Sequence, residues 1–127
     1  MIVVDASAVI DVLLQTPDSL ALTNRLLDAG ALNCAPQLID IEIVSVMRRL
    51  VHRREIPEAR ASAALADFEQ LPLERYPHQL LLPRIWAYRR LTAYDAAYLA
   101  LADALDCRVI TRDKHFAASA PERIELI

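Results

Sequence analysis

Short apolar runs set between long helical stretches constrain this chain more than anything else in it. Residues 1–4 form a β-branched run that ends in Asp5, and LNCA (32–35), LERY (73–76) and RVIT (108–111) are strand candidates of the same length. The stretches between them carry apolar residues at three- and four-residue spacing, as in Ile39, Ile43, Val46, Met47 and Leu50. That spacing is one face of an α-helix. Short strands alternating with such helices are joined by helical crossovers, so the strands lie parallel in one sheet with helices packed against it. The chain reads as an α/β sandwich, and 127 residues are one domain, 1–127.

In order, the predicted elements are a strand over 1–4, a helix over 5–14 and a second helix from Pro17 to Ala29, closed by Gly30. A strand over 32–35 follows, stopped by Pro36, then a long helix over 37–54 and another from Pro57 to Leu71. Residues 73–76 are a third strand, and a helix over 78–90 is weakened by Pro83. Thr92 opens a capping box for a helix that reaches Leu105. A strand over 108–111, a short helix begun by Asp113 and an edge strand over 124–127 close the chain.

Composition excludes several classes. Hydrophobic residues are 55% of the chain, enough for a core and too many for a disordered chain. With Gly30 as the one glycine, no glycine-rich phosphate loop can be written. A net charge of −3 is not that of a basic nucleic-acid sponge. Two cysteines, Cys34 and Cys107, make neither a disulfide framework nor a four-ligand zinc site, and read as small buried hydrophobes, a single bridge being the alternative. The apolar start is interrupted by Asp5 and Asp11 and lacks the basic start and cleavage site of a signal peptide. No stretch is long enough to span a bilayer. The expected home is a reducing cytoplasm, with no membrane partner.

Four carboxylates stand out of place. Asp5 and Asp113 follow predicted strands, and Glu42 and Asp95 lie in the first parts of predicted helices. Each has an ordinary structural explanation: a helix N-cap for Asp5 and Asp113, a salt bridge to Arg49 or Arg84 for Glu42, the capping box for Asp95. Together they share the carboxyl edge of a parallel sheet, where ligands bind in such folds. Four carboxylates there need cations, and hard divalent ions such as Mg²⁺ or Mn²⁺ take oxygen ligands. No histidine holds a matching position, which disfavours zinc.

The segments MIVVDAS, IDIEIVSVMRRL, LTAYDAAYLALADAL and VITRDKHF resemble PIN-domain ribonucleases, most of all the VapC-type toxins of toxin–antitoxin pairs. The resemblance covers nearly the whole chain. It implies a PIN-like three-layer α/β/α sandwich with a central parallel sheet of strand order 3-2-1-4-5. It makes Asp5, Glu42, Asp95 and Asp113 the catalytic and metal-binding acids, with Ser7 and Thr111 as hydroxyls that orient carboxylates or water. The implied activity is Mg²⁺- or Mn²⁺-dependent hydrolysis of RNA, leaving 5′-phosphate and 3′-hydroxyl ends. The implied partners are a VapB-type antitoxin, RNA and a second copy of the chain. Neutralisation by the antitoxin and inhibition of growth or translation belong to the same implication.

Arg48, Arg49, Arg53 and Arg54 crowd the end of the Glu42 helix, as RNA-phosphate contacts or as a solvated face that complements the helix dipole. Arg84, Arg89 and Arg90 allow the same two readings. His52, His78 and His115 read as surface or structural, and Trp86, Tyr94 and Tyr98 as core. Asp103 reads as a solvated surface acid. A receiver-type domain would need a second acid where Ala6 and Ser7 stand, and a haloacid-dehalogenase-type phosphatase needs D-x-D where the chain reads D-A-S. The alternative within the resemblance is an inactive PIN-like binding module.

Overall fold

Three residues, Ile2–Val4, form the strand on which the whole sheet is centred. Val3 and Val4 are fully buried, as a strand covered on both faces requires. In a computed structural model that describes all residues from Met1 to Ile127, this strand, β1, pairs in parallel with β2 (Asn33–Pro36) and with β4 (Arg108–Thr111). The outer strands β3 (Glu74–Tyr76) and β5 (Ile124–Leu126) extend the sheet on either side, giving the order 3-2-1-4-5 that the resemblance implies.

Seven helices cover it: α1 (Ala6–Leu13), α2 (Leu20–Leu27), α3 (Ile39–His52), α4 (Glu58–Gln70), α5 (Leu82–Ala87), α6 (Ala93–Ala104) and α7 (Lys114–Ser119). Right-handed crossovers put α1 to α4 on one face and α5 to α7 on the other. The packing agrees: α1 lies on α2, α3 and α4, while α6 lies on α5 and on β1, β2 and β4. Every residue of α6 from Ala96 to Ala102 is buried. Its alanines let it lie close to the sheet, and its middle is apolar all round, with Asp95 and Asp103 towards its two ends. Thirty buried residues from both faces form one core cluster, which includes Cys34 and Cys107 as unpaired thiols.

Several boundaries differ from the sequence reading for identifiable reasons. Pro36 lies inside β2, because β1 pairs only with Asn33 and Cys34 and the missing N–H falls beyond that ladder. Helix α2 begins at Leu20, after a turn at Pro17, and ends at Leu27. Gly30 does not cap it: no glycine has a positive φ, and the Gly30 N–H is instead held by the Asp28 carboxylate at 2.8 Å. The helix read over 78–90 is a 3₁₀ turn, Gln79–Leu81, followed by α5, with Pro83 in its first turn. Helix α5 buries none of its residues, so Trp86 stands 70% exposed; Tyr94, on the outer side of the first turn of α6, is 64% exposed. Neither belongs to the core that their aromatic character suggests.

Asp103 is not a free surface acid. It accepts from the Tyr88 hydroxyl and lies 3.3 Å from the Arg123 guanidinium and 3.8 Å from that of Arg84. These partners come from α5 and the approach to β5, so no helical wheel of α6 could show them.

Candidate active site

The register of the sheet places the acids. Val4 pairs with Ile110, and the Asp5 N–H donates to the Ile110 carbonyl at 3.0 Å, so Asp5 leaves β1 directly beside Thr111 at the end of β4. Asp5 stands at the N-cap position of α1 but makes no side-chain cap. Its Oδ2 accepts instead from the Ser7 hydroxyl at 2.5 Å and the Thr111 hydroxyl at 2.7 Å. Ser7 Oγ accepts in turn from the Arg112 N–H at 3.0 Å, and Thr111 Oγ1 from the Asp113 N–H at 3.0 Å. Asp5 is 7% exposed, so these donors replace the water that burial removed.

Asp113 does cap its helix. Its Oδ1 accepts from the His115 and Phe116 N–H groups at 2.8 and 3.0 Å, at the start of α7. In α6, Thr92 Oγ1 accepts from the Asp95 N–H at 3.1 Å, which caps the first turn that carries Asp95, a half-buried residue. Glu42 lies in the first turn of α3, half-buried, and its partner is neither Arg49 nor Arg84. Its Oε1 accepts from the Tyr98 hydroxyl at 2.6 Å.

Electrostatics bind the four together. Burial first, and then the charges of Asp5 and Asp95, push the Glu42 carboxyl up to about 7, although the Tyr98 hydrogen bond opposes this. Burial and the charges of Asp5 and Asp113 raise Asp95 as well. All ion pairs of the chain involve other acids: Asp11, Asp40, Asp103, Asp106 and Glu125. No arginine, histidine or lysine compensates Asp5, Glu42, Asp95 or Asp113. The acids nevertheless do not close on one point, since no three His, Cys, Asp or Glu side chains gather tightly enough to cage an ion. The all-oxygen donor set still fits Mg²⁺ or Mn²⁺, because Mg²⁺ is usually held by one or two carboxylates and completed by water and substrate phosphate.

The raised Glu42 carboxyl fixes a sign. Between the ordinary value of 4.5 and about 7 the folded chain holds a proton that the unfolded chain has released. Stability from this group is therefore complete at low pH and lost as pH rises towards 7. Without divalent ions, Glu42→Gln is expected to melt above the wild type near pH 8 and to lose that advantage near pH 4.5. Thermal unfolding across this range checks it, and parallel curves would refute it.

Two features lie beyond the sequence reading. Tyr98 is fully buried, as a core residue should be, yet its hydroxyl serves Glu42. Its place three residues after Asp95, on the same helical face, is the available clue. Arg112, between Thr111 and Asp113, pairs with Asp11 of α1. His78 has a structural role: its Nε2 accepts from the Leu38 N–H at 3.0 Å at the start of α3. Arg48, Arg49 and Arg53 are exposed and form no ion pair; Arg48, Arg49 and His52 line a surface hollow of about 770 Å³ between α3 and α4.

A parallel 3-2-1-4-5 sheet with uncompensated acids along its carboxyl edge defines a class, and residues 2–120 match the family model of the PIN domain: the chain belongs to the PIN-domain family. Its relatives are more particular. It is 43% identical over 114 residues to VapC ribonuclease Mb0985 of Mycobacterium bovis, covering 89% of this chain and 86% of that one. It is 41% identical over 129 residues to ribonuclease VapC1 of Mycobacterium tuberculosis, covering 98% and 96%. Ribonuclease VapC12 of the same species is 34% identical over 127 residues, covering 99% and 97%. The crystal structure of PAE2754 from Pyrobaculum aerophilum shares the fold, with a TM-score of 0.73 at 21% identity over 97% of this chain and 81% of that one.

Proposed function

We propose that this chain is a divalent-metal-dependent endoribonuclease, the toxin of a type II toxin–antitoxin pair, with Asp5, Glu42, Asp95 and Asp113 as its catalytic acids. One observation carries the reading: four carboxylates share the sheet edge and no basic side chain neutralises any of them. The relatives named as ribonucleases, matched along nearly their whole length, support it.

Asp5, Glu42 and Asp95 would hold one Mg²⁺ or Mn²⁺, and Asp113 with Asp5 would support a second. Such ions make a bound water acidic and stabilise charge on a leaving oxygen. The chain supplies alignment. Ser7 and Thr111 fix the Asp5 carboxylate through Oδ2, and the two α7 amides fix Asp113 through Oδ1. Water oxygen bonds to phosphorus, the bond to the 3′ oxygen breaks, and the ends are a 5′-phosphate and a 3′-hydroxyl. Ser7 is no nucleophile in this scheme, because its proton is directed at Asp5 and no histidine serves it as base.

Arg48, Arg49 and Arg53 would contact RNA phosphates. A VapB-type antitoxin and a second copy of the chain would cover exposed apolar residues such as Ile41, Leu80 and Trp86, which are 73%, 87% and 70% exposed. No helix is long and apolar enough to cross a membrane.

Purified protein incubated with labelled RNA is expected to cut it with Mg²⁺ or Mn²⁺ and to stop in EDTA. Alanine at Arg48, Arg49 and Arg53 together should weaken RNA binding and flatten its salt dependence, by a slope of roughly one for each arginine that had met a phosphate. Intact RNA in every metal arm would favour a binding module without catalysis.

A further inference from the structure

Three of the four acids share a pattern. Asp5 gives Oδ2 to two hydroxyls, Asp113 gives Oδ1 to two amides, and Glu42 gives Oε1 to Tyr98. In each, no donor of the chain reaches the other oxygen. For Asp5 and Asp113 the partners come from the adjoining backbone and strand ends. For Glu42 the partner is built in at greater cost. Tyr98 is the largest fully buried side chain, and a phenol in the core must find an acceptor. It stands one turn beyond Asp95 on α6, whose burial from Ala96 to Ala102 fixes it in place. Its hydroxyl joins that helix to α3. One hydroxyl thus ties together the two helices that carry Glu42 and Asp95.

We infer that Tyr98 is a positioning residue that occupies Oε1 of Glu42, so that this carboxylate offers a divalent cation one oxygen rather than two. The inference rests on reading the acids as a metal site. A one-oxygen carboxylate suits Mg²⁺ and Mn²⁺, which accept six ligands with several waters among them. It handicaps Ca²⁺, which takes six to eight oxygens and readily uses both oxygens of a carboxylate. Tyr98 sets the choice of ion without touching it.

The test is Mn²⁺ titration followed by electron paramagnetic resonance, with Mg²⁺ and Ca²⁺ as competitors. Tyr98→Phe keeps the ring and removes the hydroxyl. It is expected to weaken Mn²⁺ binding about tenfold and to narrow the preference for Mn²⁺ over Ca²⁺. In a Glu42→Gln background the same substitution should change little further, because Tyr98 acts through Glu42. An unchanged Mn²⁺-to-Ca²⁺ ratio in Tyr98→Phe, or an equal effect in both backgrounds, overturns the inference. If Tyr98→Phe does not fold, Glu42→Asp draws the carboxylate back from the phenol with the core intact, and an unchanged Mn²⁺-to-Ca²⁺ ratio in that variant overturns the inference. Mn²⁺ binding that survives Asp5→Asn unchanged would instead defeat the metal-site reading, and this inference with it.

Discussion

Asp5→Asn is expected to cut RNA cleavage by at least about a hundredfold while the chain stays folded. Asparagine matches aspartate in shape, and its carbonyl oxygen can still accept from Ser7 and Thr111, the donors now on Oδ2. What disappears is the charge at the centre of the acidic edge. That charge raises the carboxyls of both Glu42 and Asp95, so its loss relieves repulsion. The variant should therefore melt at or above the wild-type temperature near pH 8. Cleavage of end-labelled RNA and a thermal melt on the same preparation measure both effects. Cleavage at the wild-type rate would remove Asp5 from the catalytic set.

Phe116→Ala should do the reverse at the level of the fold. Phe116 is 1% exposed and belongs to the main core cluster. Emptying such a site costs about 3–5 kcal/mol, through lost transfer energy and the cavity left behind. In a chain of this length that lowers the melting temperature by roughly 10 °C or more. Phe116 also anchors α7, whose first amides hold Asp113 Oδ1, its own among them. RNA cleavage should fall with stability in this variant, unlike in Asp5→Asn. Urea unfolding measures the loss; a change below about 1 kcal/mol would place α7 outside the cooperative core.

The parallel sheet and the elements that lead to its carboxyl edge are legible because they are written in local pattern. A β-branched run ending in Asp5, and helical spacing around Glu42, are each visible within a dozen residues. The Thr92 cap is legible for the same reason. What the residues leave open is the choice between structural and chemical roles. Asp113 is an N-cap and also a site candidate, whereas Asp5 holds the cap position and spends its oxygen on Ser7 and Thr111. That difference depends on β1 and β4 lying side by side, a pairing of residues more than a hundred apart. Asp103 escapes a sequence reading on the same account, since Tyr88, Arg84 and Arg123 meet it only in the folded chain. Trp86 and Tyr94 escape it because aromatic character speaks for burial on average, whereas Trp86 lies on α5, which buries none of its residues, and Tyr94 on the outer side of the first turn of α6.

Asp5 and Asp113 stand more than a hundred residues apart in sequence. Asp5 leaves the first strand, while Thr111 and Asp113, which flank it, follow the fourth. A growing polypeptide on the ribosome thus carries Asp5 and Glu42 well before the strand that closes the site has been synthesised. Contacts so distant in sequence form late, after their loop-closure cost has been met. A nascent chain that has not yet reached β4 therefore lacks the pairing that sets Thr111 and Asp113 beside Asp5.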